Sequence, residues 1–292
     1  MRIGINCLPL LPGEMGDMET YLCCLIEGLT ALGAEVLLFV DWRNEESFNS
    51  LEDKAKKVQI DEEHHLTRLT RAVHDSNLDL YFCPFPELDP RYVSVPTVVT
   101  IPDVQHEDYP ELFTTQALAW RRENYAFTVK HADAILTLSH FSKQSIVRHY
   151  GVSPDRVHAV HLNAGKEHLS PCGPEVVRRV RDQYGLPERF VFYPATTWAH
   201  KNHIPLLKAL KTIREEDGIP VSLVLTGAED SAHAHVTQAI RDLGLSEAVQ
   251  FLGYAKAEDM PALYRCAEAL VSFSLYEGFG MPLLEAMHAG IP

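Results

Sequence analysis

No stretch of this chain is apolar enough to cross a bilayer, which argues against a membrane-spanning protein. The opening residues, Met1-Arg2-Ile3-Gly4-Ile5-Asn6, turn polar too soon for a signal peptide and read as a first strand. The cysteines (Cys7, Cys23, Cys24, Cys83, Cys172 and Cys266) have no framework spacing. They read as buried free thiols in a reducing, cytoplasmic compartment. Positive charge is in deficit: 26 Lys and Arg against 40 Asp and Glu give a net charge of −14. Non-specific nucleic-acid binding, which needs clustered cations, is argued against. A small basic pocket for a phosphorylated ligand is not. There are 15 histidines, yet the densest groups, His64-His65 and His233-Ala234-His235, lack the partners that a zinc site needs. No metal site is expected. Internal repeats and low-complexity tracts are absent.

What the chain does have is alternation. At 292 residues and 46% hydrophobic, it is long enough for one large domain or two ordinary ones. Short β-branched runs are expected as strands at Ile3–Asn6, Glu35–Val40, Leu80–Cys83, Thr97–Ile101, Ala134–Leu138 and Val157–Val160. A helix from about Asp17 to Leu32 stops at Gly33. Continuous apolar strands separated by helices imply a parallel sheet covered on both faces. The rhythm breaks between about Leu162 and Pro187, apart from a helical piece at Glu175–Tyr184. It restarts with strands at Phe190–Tyr193, Val221–Thr226, Val249–Leu252 and Ala269–Phe273. The expectation is an α/β chain with two Rossmann-like, doubly wound parallel-sheet domains, 1–169 and 170–292, facing an interdomain cleft. Ile291-Pro292 reads as the start of a further strand, so the second domain is expected to be C-terminally truncated.

The most informative segment is Tyr276-Glu277-Gly278-Phe279-Gly280-Met281-Pro282-Leu283-Leu284-Glu285-Ala286. It follows a strand and opens a helix. Pro282 suits a first helical turn, where its missing N–H costs nothing. Gly278 and Gly280 allow close backbone approach. A helix N-terminus offers free N–H groups and partial positive charge to phosphate. Glu277 and Glu285, eight residues apart, can reach different parts of one elongated ligand and accept paired hydrogen bonds from vicinal hydroxyls.

This segment resembles the Glu-x7-Glu motif of the GT-B retaining glycosyltransferases of family 4, the glycosyl transferases group 1. Tyr193-Pro194-Ala195-Thr196-Thr197-Trp198-Ala199-His200-Lys201-Asn202 is similar to that family's first donor-domain strand, loop and helix. Leu225-Thr226-Gly227 resembles its second strand end. Val249-Gln250-Phe251-Leu252-Gly253-Tyr254 resembles the strand and loop facing the nucleotide base. Leu138-Ser139-His140-Phe141-Ser142-Lys143 resembles the Ser-rich turn late in the acceptor domain, and Gly13 to Gly16 sit where the family has a Gly-rich first loop. The Gln105-His106-Glu107-Asp108-Tyr109-Pro110 stretch is similar to mannosyl- and related transferases that make bacterial surface polysaccharides.

The resemblance implies roles. Lys201 would hold the donor diphosphate, and Asn202 beside it reads as a side-chain N-cap for the next helix. Glu285 would bind the ribose and Glu277 the transferred sugar. The backbone of Gly278, Phe279, Gly280 and Met281 would approach sugar and phosphate, and Gly16 would approach the same phosphates. His106, with Asp103 in the same turn, follows the Thr97–Ile101 strand and is expected at the cleft edge, positioning the donor sugar. The sequence departs from the family in two places. The cation that many relatives carry before the lysine is replaced by Ala195-Thr196-Thr197, where Thr196 or Thr197 would have to substitute. The first loop, Gly13-Glu14-Met15-Gly16-Asp17, carries acids near a phosphate. No Asp-x-Asp occurs, so a metal-bridged diphosphate is not indicated, and no cofactor is expected beyond the nucleotide-diphosphate sugar as donor substrate. The implied acceptor is a saccharide or lipid-linked saccharide, which allows peripheral contact with the inner face of a membrane. Two other readings stay open: a GT-B nucleotide-sugar epimerase, and a non-catalytic nucleotide-sugar-binding or interaction fragment.

Overall fold

The structure, a computed structural model, describes residues 1–12, 17–61, 65–164 and 172–292. It divides into two compact units, Met1–Leu162 and Asn163–Pro292. The junction expected at Leu169, the loop Gly13–Gly16 and His64 lie outside the described residues.

The first unit runs β1 (Arg2–Asn6), α1 (Asp17–Ala31), β2 (Glu35–Val40), β3 (Ala55–Gln59), α2 (His65–Asp75), β4 (Leu80–Cys83), β5 (Thr97–Thr100), α3 (Gln105–Asp108), α4 (Thr115–His131), β6 (Ala134–Thr137), α5 (His140–Tyr150) and β7 (Val157–Ala159). Its seven strands form one sheet in the order β3-β2-β1-β4-β5-β6-β7, and every neighbouring pair is parallel. Successive strand residues point to opposite faces, so a sheet covered on both sides needs unbroken apolar runs. On β2, Leu37 and Phe39 join one core with Tyr81, Val99 and Ile135. Val36, Leu38 and Val40 join another with Ile3, Ile5 and Leu22. Each such side chain contributes about 1.5–3 kcal/mol on burial. Sequence patterning misses β3 because Lys56 and Lys57 break its apolar run. As the edge strand it pairs on one side only, and lysines suit an exposed edge.

The second unit runs α6 (Pro174–Tyr184), β8 (Phe190–Pro194), α7 (His203–Glu215), β9 (Ser222–Thr226), α8 (His233–Asp242), β10 (Val249–Phe251), α9 (Met260–Cys266), β11 (Ala269–Leu270) and α10 (Met281–Ala289). The sheet order is β10-β9-β8-β11, again parallel. Phe190, Phe192 and Val224 pack with Val180 and Tyr264 on one face. Leu223 and Leu225 pack with Leu207 and Leu210 on the other. The strand expected over Ala269–Phe273 is shorter. Only Ala269 and Leu270 pair with β8, and after Val271 donates to the Phe192 carbonyl the chain leaves the sheet. The Leu270 N–H donates to the Pro292 carbonyl at 2.8 Å.

All six cysteines are free, but the expected burial holds for Cys7, Cys83 and Cys266 alone. Cys24 is exposed, and Cys23 and Cys172 are half-buried. Burial pushes the Cys83 thiol up to about 12, which leaves it inert as a nucleophile. Among the described residues no helix is long and apolar enough to cross a membrane.

Candidate functional site

In the second unit the chain passes from β8 outward through β9 to β10 on one side, then returns to place β11 on the other side of β8. The strand order therefore reverses between β8 and β11. In open parallel sheets, ligands bind beyond the carboxyl ends of the strands at such a reversal. The loops leaving that point are 195–202 and 271–280. They contain Lys201 and Glu277, 76 residues apart in sequence, and the Lys201 Nζ donates to Glu277 Oε1 at 2.6 Å. The lysine side chain is 14% exposed and the glutamate 32%.

Further hydrogen bonds hold this pair in place. The Leu275 N–H donates to the His200 carbonyl at 2.8 Å, which zips the two loops together. The Tyr193 hydroxyl, at the end of β8, donates to the Lys201 carbonyl at 2.7 Å and lies 3.1 Å from Ser274 Oγ. His200 stacks on Trp198 at 5.6 Å between ring centres. Burial, then the charge of Lys201, lowers the His200 imidazole to about 4, so it is neutral near pH 7. Lys201 closes a 3-10 turn, Ala199–Lys201, directly before α7. The expected Asn202 side-chain cap is not formed. Asn202 instead takes a left-handed conformation (φ 59°) and makes no side-chain cap hydrogen bond. Asn is among the few non-glycine residues that tolerate this geometry, and the turn it makes sets the exit of the lysine loop.

The second loop ends at Gly280, whose φ of 88° favours glycine, and Pro282 occupies the first turn of α10. The N-terminal N–H groups of α10 open at Met281, as expected. Glu285 sits one turn into α10, and its Oε2 accepts a 2.5 Å hydrogen bond from the Tyr264 hydroxyl of α9. Gly278, Phe279, Gly280 and Met281 thus lie on one continuous connection between the two glutamates.

Two further expected site residues are fully buried. Thr197 does not offer its hydroxyl as a replacement cation-side contact. It is fully buried, donates to the Ala228 carbonyl at 3.2 Å and accepts the Asp230 N–H at 2.8 Å. Its hydroxyl holds the turn after β9 against the loop after β8. His106 lies in the core of the first unit. It is 0% exposed, packs edge-on against Tyr125 and Phe113, and its Nε2 lies 3.0 Å from the Tyr150 hydroxyl. Burial lowers its imidazole to about 4 despite the nearby Glu107 carboxylate. Asp103 in the same turn accepts the Gln105 N–H at 3.0 Å. Gly16 lies outside the described residues.

Sequence reasoning missed Tyr193, Ser274 and Tyr264. Tyr193 stands inside the quoted Tyr-Pro-Ala-Thr-Thr segment but reads there as a strand residue. Tyr264 lies 21 residues before Glu285 with no local motif to mark it.

The profile described as Glycosyl transferases group 1 matches residues 178–292, and that described as Glycosyltransferase Family 4 matches residues 18–162. The chain is similar to O-antigen chain mannosyltransferase B of Escherichia coli, with 30% identity over 197 residues, 67% of this chain and 51% of that one. It is similar to O-antigen chain mannosyltransferase RfbU of Salmonella typhimurium, with 26% identity over 66% of this chain and 50% of that one. The chain spans about half the length of these curated relatives. Among solved structures it resembles Anabaena HepE in complex with UDP-glucose, with 21% identity and a TM-score of 0.74 over 100% of this chain and 79% of that one. It also resembles WaaG, a glycosyltransferase involved in lipopolysaccharide biosynthesis, with 15% identity and a TM-score of 0.67 over 100% of this chain and 80% of that one. Two parallel sheets in separate units and likeness to these structures show the GT-B fold, and two profiles that divide the chain between them show the family: the chain belongs to the glycosyltransferases, its first half to Glycosyltransferase Family 4 and its second to the glycosyl transferases group 1.

Proposed function

We propose that this protein transfers a hexosyl group, mannosyl in the first instance, from a nucleotide-diphosphate sugar to a saccharide acceptor, with retention at the anomeric carbon. The observation that carries the proposal is the Lys201–Glu277 pair at the strand-order reversal, with Glu285 on the helix that follows. A cation and a helix N-terminus suit a diphosphate, and carboxylates suit sugar hydroxyls. The names of the mannosyltransferase relatives support the choice of sugar.

Lys201 binds the diphosphate and Glu285 the ribose. Glu277 turns from the lysine to the hydroxyls of the transferred sugar. The N–H groups of the Gly278–Met281 connection approach sugar and phosphate. The bond between the anomeric carbon and the diphosphate oxygen breaks, and its electron pair leaves with the diphosphate. The acceptor hydroxyl attacks the same face, and its proton passes to the departing phosphate oxygen. Charge therefore builds on the diphosphate, where Lys201 and the helix terminus stabilise it in place. No covalent nucleophile is assigned, since a front-face route in which the leaving phosphate takes the acceptor proton needs none. His106, buried in the first unit, acts as a packing residue there.

The test is release of nucleoside diphosphate from a panel of UDP-, GDP- and ADP-sugars. Release is expected from one donor, with Lys201→Ala and Glu285→Ala lowering it by roughly 100-fold or more, the scale of losing one preorganised charge contact. Absence of release from every donor, or full activity in both variants, would overturn the proposal.

A further inference from the structure

The contact between Tyr264 and Glu285 carries more than a link between two helices. Tyr264 is 0% exposed. Its ring stands edge-on to Phe192 of β8, 5.2 Å between centres and 86° between planes, and Phe192 in turn packs on Phe190. The phenol is therefore held by the core of the sheet and has no freedom to follow a moving partner. Its hydroxyl donates to Glu285 Oε2 at 2.5 Å, within the short range of an O–H bonded to a carboxylate, about 2.5–2.7 Å. Glu285 itself is only partly buried on α10. A rigid donor thus grips a side chain that is only partly buried.

A carboxylate has about four lone-pair sites. The tyrosine bond fills one of them and fixes the plane of the group. The other oxygen, and the second lone pair of the gripped one, keep a defined direction.

We propose that Tyr264 is a positioning residue for ribose recognition, presenting the Glu285 carboxylate in the orientation that accepts the two vicinal hydroxyls of a nucleoside diphosphate. The inference rests on the assignment of Glu285 to the ribose. A residue that only joins α9 to α10 would change stability and change the binding of all nucleotides alike. A positioning residue changes the preference for a nucleotide that has both hydroxyls over one that lacks either.

The experiment is calorimetric titration of the chain with whichever of UDP, GDP and ADP binds, and with its 2′-deoxy and 3′-deoxy counterparts. The proteins are wild type, Tyr264→Phe and Glu285→Ala. The wild type is expected to prefer the ribo form by about tenfold, the scale of one hydrogen bond to a charged group. Glu285→Ala should abolish the preference, and Tyr264→Phe should reduce it by at least about threefold, since the acceptor remains but is no longer oriented. The preference is read on the folded fraction, so a lowered thermal midpoint in Tyr264→Phe does not affect it. An unchanged preference in Tyr264→Phe, with the preference lost in Glu285→Ala, would overturn the positioning role alone. A preference that survives Glu285→Ala would overturn the ribose assignment itself.

Discussion

The lysine assigned to the diphosphate is paired with Glu277, so replacing Glu277 by glutamine should tighten binding of the nucleoside diphosphate. The Lys201 Nζ and Glu277 Oε1 are 2.6 Å apart. At an effective dielectric of about 20 the bare attraction at that distance is on the order of 6 kcal/mol. Much of it is offset by desolvation, and a hydrogen bond between charged groups nets about 1.5–3 kcal/mol. Glu277 is 32% exposed, so solvent screening reduces the net to roughly 1–2 kcal/mol. A diphosphate must displace that interaction, and Glu277→Gln removes most of it while keeping a side chain of the same size. The expected gain in nucleoside diphosphate affinity is about 5- to 30-fold, while transfer from the intact donor falls because the sugar loses its carboxylate. Calorimetry with the product nucleoside diphosphate measures the first effect and donor turnover the second. The gain should shrink in a Lys201→Ala background, which separates release of the lysine from general relief of repulsion. Unchanged or weaker binding in Glu277→Gln, where Lys201→Ala does weaken it, would refute the exchange.

Three stability predictions follow from groups away from that pair. His106 folds neutral, with its imidazole lowered to about 4 from an ordinary value of about 6.5. Its contribution is therefore complete above pH 6.5 and is lost as pH falls toward 4. Urea titrations across this range should show His106→Phe flattening the loss by up to about 1.4 kcal/mol per pH unit, and an unaltered slope would contradict the burial argument. Gly227 has a φ of 147°, and a Cβ there would lie 2.6 Å from the backbone of Ala195 and Thr196. Gly227→Ala should cost about 2–3 kcal/mol, seen as a lower thermal midpoint, because neither the conformation nor the neighbouring strand end can give. Asp259 is fully buried and accepts hydrogen bonds from Arg179 (2.8 Å), Tyr184 (3.0 Å) and Gln183 (3.2 Å). Asp259→Asn should cost roughly 1–3 kcal/mol, less than a wholly buried ion pair, because the Arg179 side chain is 51% exposed. An unaltered denaturation midpoint would refute it.

The parallel sheets were legible because burial on two faces forces apolar runs that survive in one dimension. Glu35–Val40 and Leu80–Cys83 are strands with the predicted ends. Edges are harder to read. Strand β3 carries Lys56 and Lys57, and β11 shortens to two residues where pairing stops. Strand ends depend on which partner lies alongside, and that is not local information. The same holds for His106. Its place after a strand was readable, but the aromatic cage of Tyr125 and Phe113 comes from other elements, and its burial was not readable.

The site divides along the same line. The loop and helix around Gly280 and Pro282 follow from local chemistry, and so did the two glutamates that flank them. That Lys201 meets Glu277 depends on β11 pairing with β8 rather than with the other edge of the sheet. Neither loop encodes that alone. Asn202 shows how a correct position can carry an incorrect reason. Both a side-chain cap and a left-handed turn favour asparagine before a helix, so residue type could not choose between them. The choice follows from the lysine loop. The Tyr193 hydroxyl holds the Lys201 carbonyl, and Asn202 must then reverse the chain within one residue to begin α7. A left-handed residue does this, whereas an extended capping residue would carry the backbone away from the loop that presents Glu277.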